Sequence, residues 1–128
     1  MTNRFWITIA WVGYFTIVLV SLVPGSARPH IHGFPGELEH FVAYGAAGSA
    51  YGLAYCSTLA RIISGLILSA GSALFEGFQS FVPDRTPELA DILASTIGVW
   101  IGLGFAVLAT IVITYPAKQM ARSKKGMP

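Results

Sequence analysis

The chain has 128 residues, a net charge of +2, 54% hydrophobic residues and only 11% charged ones. That length suits a single domain, and the charged share is less than half of the ~25% usual in soluble domains. The near-neutral balance, with no basic face outside the C-terminal tail, excludes a nucleic-acid reader. A single cysteine, Cys56, excludes an internal disulfide and a cysteine metal cluster. No glycine-rich phosphate loop precedes a helix, so nucleotide chemistry has no motif to rest on.

The few charges are clustered and leave four long uncharged runs, 5–23, 41–60, 62–75 and 92–117, which hold 79 of the 128 residues. No small soluble core could bury so much apolar surface, whereas a bilayer accepts about 20 apolar residues per helix. Taken in chain order, the spans are expected at about 5–23, 38–60, 62–82 and 88–115. The first also admits a reading as a signal peptide, with Arg4 in the n-region and Gly25, Ser26 and Ala27 as the small-residue cleavage site. Its 19 residues exceed the usual 7–15-residue apolar stretch, and Trp6, Trp11 and Tyr14 favour a retained helix. The third span must take in Glu76 to reach full length. Pro83 and Pro87 then bracket a turn, and Pro116 with Lys118, Arg122, Lys124 and Lys125 closes the fourth. Four spans put both termini on one side. With that side cytoplasmic, six of the eight basic residues lie inside and only Arg28 and Arg85 lie outside, as the positive-inside rule requires. The expectation is an all-α integral membrane bundle of four transmembrane helices, one domain over 1–128, with both termini cytoplasmic.

In that topology all six acidic residues (Glu37, Glu39, Glu76, Asp84, Glu88, Asp91) and all three histidines gather at the outer end. His40 and Tyr44 are four apart, Glu76 and Gln79 three apart, and Asp91 and Ser95 four apart, so each pair shares a helix face. A carboxylate at the depth of Glu76 must face the bundle interior and find a partner. His40, Tyr44, Glu76, Gln79, Arg85 and Asp91 are therefore expected to line a polar pocket. Glu76, Arg85 and Asp91 would form one network with His40 at its edge, and His40, Glu76 and Asp91 are the candidates for acid–base chemistry. The blander alternative is an interhelical lock that only holds the bundle together. Glu88 fits a first helical turn after Pro87, where a carboxylate suits the dipole, and Asp84 fits a turn. His30 and His32, with Glu37, Glu39 and His40 nearby, offer zinc donors, but their spacing matches no zinc signature. No metal and no cofactor is expected from the sequence. Gly48-xxx-Gly52 and Gly98-xxx-Gly102 are close-packing motifs, which points to a compact bundle rather than a wide pore.

The order Glu76, Gln79, Pro83, Arg85, Asp91, Gly98, Gly102, preceded by His40-xxx-Tyr44, resembles the VanZ-like membrane protein family over about residues 36–105. The chain departs from the family pattern at Gly36-Glu37, where an Asp-Lys pair precedes the His, and at Ser95, where an Asn is often found. The resemblance implies a small multi-span membrane protein of the cell envelope. The family's founding member is associated with resistance to teicoplanin, an antibiotic that binds lipid-linked cell-wall precursors outside the membrane. Three functions are open at this level. The first is a non-enzymatic protein of the cell membrane whose outward pocket binds or shields a lipid head group or lipid-linked precursor, or docks a second copy or another membrane protein. The second is a membrane enzyme acting on a phosphate-bearing lipid, with Glu76 or Asp91 as general base, His40 as acid or base and Arg85 holding the phosphate. The third is a small transporter or proton relay.

Overall fold

The computed structural model describes residues 3–27, 33 and 35–125, with side chains for residues 4–27, 33 and 35–115. Four helices follow one another: α1 (Asn3–Ser21), α2 (Gly36–Ala54), α3 (Thr58–Gln79) and α4 (Leu89–Lys125), with a short 3-10 turn at Gly25–Ala27 and no strand among the described residues. The helices α1, α3 and α4 are each long and apolar enough to cross a membrane. Their outer faces carry large apolar side chains: Phe15 and Leu19 on α1, Leu66 and Leu74 on α3, Ile101 and Phe105 on α4 are all more than half exposed. An apolar face of this size is a liability in water and the solvated face in hydrocarbon. The protein is built for a membrane.

Helix α2 is the inner member of the bundle and packs against all three others. Its composition explains why. Gly, Ala and Tyr dominate it, and Ala47, Ala50, Tyr51 and Ala54 are buried. It lies closest to α4, and the two run parallel, since Gly45 sits by Gly98 and Gly52 sits by Ala106. The backbones meet at the small residues: a Cβ on Gly48 would run into the Val99 carbonyl, and one on Gly102 into the Gly45 carbonyl. Only a missing side chain permits that approach, which is how GxxxG faces bring membrane helices together. Helix α1 packs against α2 and α3 through one face. Ala10 is completely buried, the Trp11 ring lies 5.9 Å from Tyr51, and the Tyr14 ring lies 6.3 Å from Phe75.

Two boundaries differ from the sequence expectation. The break between α2 and α3 falls at Tyr55–Ser57, not at Arg61, so α2 ends at Ala54 rather than about Ala60. The charge of Arg61 does not mark a loop. Ser57 supplies the helix cap, its hydroxyl accepting from the Ala60 N–H at 3.1 Å. Arg61, in the first turn of α3, reaches back and donates from Nε to the Gly52 carbonyl at 3.0 Å, satisfying a carbonyl in the last turn of α2. At the other end, the membrane-length segment is Leu89–Tyr115, as expected, but the helix itself continues through Pro116 to Lys125. Proline there removes one backbone donor, but the good helix formers Ala117, Lys118, Gln119 and Met120 carry the helix on. Arg28, His30 and His32 lie outside the described residues.

Candidate functional site

Helices α2 and α4 run parallel and α3 runs against them, so the first turns of α2 and α4 meet the last turns of α3 at one end of the bundle. That end holds the ionisable groups picked out from the sequence. Glu76 is 3% exposed, Gln79 and Tyr44 2%, and Ser95 is fully buried. Groups buried to this degree need partners.

Glu76 finds one on the neighbouring helix. Its Oε1 accepts from the backbone N–H of Glu88 at 2.9 Å. Glu88 immediately precedes α4, where backbone donors lack intrahelical acceptors, and a carboxylate there also meets the positive end of the helix dipole. The N-terminal carboxylate read from the sequence as belonging to Glu88 is in fact supplied from α3. His40 holds two contacts across to α4. Its Nδ1 lies 3.3 Å from the Ser95 hydroxyl and its Nε2 lies 3.5 Å from Asp91 Oδ2. The Tyr44 ring is nearly parallel to the imidazole at a centroid distance of 6.4 Å. One donor atom from each of His40, Glu76 and Asp91 lies within 4.8 Å of the others. His40 thus stands inside the cluster rather than at its edge.

Arg85 reaches across to the end of α1. Its Nε and Nη2 donate to the carbonyls of Val23 at 3.4 Å and Val20 at 3.2 Å, at the end of α1. A cation at a helix C-terminus satisfies free carbonyls and complements the dipole. The connection that carries it turns at Asp84, whose φ of 58° is left-handed, a conformation Asp tolerates. The Gly25 N–H donates to the Pro83 carbonyl at 3.2 Å, and Gly25 sits too close to the Asp84 carbonyl to admit a Cβ. The end of α1 is thereby tied to the α3–α4 connection.

Two cavities border this cluster. A polar cleft of about 340 Å³ is lined by Glu37, Gln79, Asp84, Arg85, Glu88 and Asp91, among others. An apolar groove of about 180 Å³ between α1 and α2 is lined by Ile17, Val20, Ala43, His40 and Tyr44, among others. His40 borders the groove and Asp91 borders the cleft. Three site features escaped the sequence reading: Ser95 as the partner of His40, the Glu88 backbone as the partner of Glu76, and the carbonyls of α1 as the seat of Arg85. Only the first left a signal, the Asp91-xxx-Ser95 spacing. No protein-family model, curated protein or solved structure matches this chain.

Proposed function

We propose that the protein is a four-span component of the cell membrane, with both termini cytoplasmic, whose acidic end binds or shields the head group of a membrane lipid or lipid-linked precursor. In this reading α2 crosses the membrane as well, shielded by the three apolar helices around it, so its own surface needs fewer large apolar residues. The basic asymmetry of the sequence supports the orientation, with Arg4, Arg61 and the tail lysines opposite the acidic end. The order of Glu76, Gln79, Pro83, Arg85 and Asp91, which resembles the VanZ-like family, supports an envelope role related to glycopeptide resistance.

One observation carries the ligand class. His40, which borders the apolar groove, lies 3.5 Å from Asp91, which borders the polar cleft. An amphiphile is the molecule that fills both, its head group in the cleft and a chain along α1 and α2. The decisive comparison is between wild type and Glu76→Gln. The amide keeps the shape and the oxygen that accepts from Glu88, and interhelical hydrogen bonds in membranes average only about 0.6 kcal/mol. The variant should accumulate normally, lose the lipid that co-purifies with wild type by native mass spectrometry, and fail a glycopeptide-susceptibility assay. An unchanged lipid complement together with unchanged susceptibility overturns the reading.

A further inference from the structure

We infer that His40, Glu76 and Asp91 form a binding site for a divalent transition-metal ion, of which zinc fits the donor set best. The inference stands apart from the lipid reading, since it rests on donor type, convergence and the groups behind the donors.

Three helices each contribute one ligand. One nitrogen and two carboxylate oxygens lie within 4.8 Å of one another, on two buried residues and one half-buried residue. Zinc binds nitrogen and carboxylate oxygen at about 2.0–2.2 Å, so two ligand atoms on one ion lie at most about 4.4 Å apart. The His40 Nε2 to Asp91 Oδ2 distance of 3.5 Å already falls within that limit. The three donor atoms together stay within 4.8 Å, a few tenths of an ångström beyond that limit. An imidazole beside two carboxylates suits zinc, manganese or ferrous iron, whereas magnesium and calcium prefer oxygen alone.

The groups behind the donors strengthen the case. Metal-binding histidines keep the other ring nitrogen hydrogen-bonded, and binding carboxylates are held by further bonds. Here His40 Nδ1 is engaged by Ser95, which leaves Nε2 as the nitrogen turned toward Asp91. Glu76 Oε1 is held by the Glu88 N–H at 2.9 Å, which fixes the carboxylate beside the other two donors. Asp91 also lines the 340 Å³ cleft, so the coordination sphere opens to solvent on one side, the arrangement in which a fourth position takes water or a ligand group. The sequence brings these three residues to one end of the bundle, and the structure shows that their donor atoms converge.

The test uses the full chain, purified in detergent without an affinity tag and stripped with chelator. Titration with zinc alone, followed by elemental analysis, should give about one tightly held ion per chain. His40→Gln and Asp91→Asn should each weaken zinc binding by at least about tenfold, and Ser95→Ala by about tenfold or more through the lost orientation of the ring. The double variant His30→Gln/His32→Gln should bind as wild type does. Cobalt in place of zinc gives a readout on the wild type itself, so that poor folding of a variant cannot obscure the answer. Intense visible absorption of a low-coordinate cobalt–imidazole centre is expected, and zinc should abolish it. Wild type that holds no zinc, lacks the cobalt spectrum, or loses zinc only with His30 and His32 overturns the inference. Wild type that binds zinc but co-purifies with no lipid supports this site while the lipid reading fails alone, which keeps the two distinguishable.

Discussion

The Nε2 of His40, in the first turns of α2, lies 3.5 Å from Oδ2 of Asp91, near the start of α4. The contact pins the register of two parallel helices at their polar ends, while the glycine faces below fix their separation. Polar pairing thus sets position along the axes, and missing side chains set distance.

That division makes the glycines separable by experiment. At Gly98 a new Cβ would strike the Phe41 carbonyl and sit 3.1 Å from the Gly45 nitrogen, while at Gly104 it would meet nothing within 4 Å. Gly98→Ala should therefore destabilise the bundle by about 1–3 kcal/mol, the cost of overpacking. Gly104→Ala should be neutral or gain up to about 1 kcal/mol, the helix propensity difference. Unfolding of the two variants in mixed micelles by increasing denaturing detergent checks the contrast.

Arg85 should matter for holding α1. Arg85→Ala removes charge-assisted bonds to the Val20 and Val23 carbonyls, which places its cost at about 1.5–3 kcal/mol. Arg85→Lys keeps the charge but loses the fork that reaches both carbonyls, so an intermediate cost is expected. Limited proteolysis between residues 21 and 36 should quicken in the order wild type, lysine, alanine.

Ser95→Ala isolates the hydrogen bond to His40. Ser95 is fully buried, and the lost interhelical bond should cost about 0.6 kcal/mol on average and at most about 1.7. A measured loss far above that range would show that the imidazole cannot find a replacement donor or acceptor at this site.

Topology is checked at the chain's end. A reporter active only in the cytoplasm, fused after Pro128, should be active, and one active only outside should be silent. The reverse result means an odd number of spans and removes the orientation on which the outward pocket depends.

Ser57→Ala should cost about 1 kcal/mol, because the hydroxyl that accepts from the Ala60 N–H caps α3. Ser57→Asp should restore most of that stability. Thermal unfolding followed by far-ultraviolet circular dichroism distinguishes the three chains.

The sequence by itself determined what depends on neighbours along the chain. Long uncharged runs place α1, α3 and α4 as apolar helices, because their solvation depends on composition alone. The Gly48-xxx-Gly52 and Gly98-xxx-Gly102 spacings mark the faces on which α2 and α4 meet, since helix geometry puts residues four apart on one side. The gathering of Glu76, His40 and Asp91 at one end follows from alternating helix direction. Tertiary structure decided the pairings. Glu76 meets the Glu88 backbone, His40 sits between Ser95 and the carboxylates, and Arg85 donates to carbonyls at and just beyond the end of α1. It also decided that Arg61 begins a helix instead of ending one, because the carbonyl of Gly52 lay within its reach. The contacts of Glu76, Arg85 and Arg61 are hydrogen bonds to backbone groups at helix ends, and that of His40 with Ser95 joins two side chains. Which side chain reaches such a group depends on how the helices stack in space, and spacing along the chain carries no record of that.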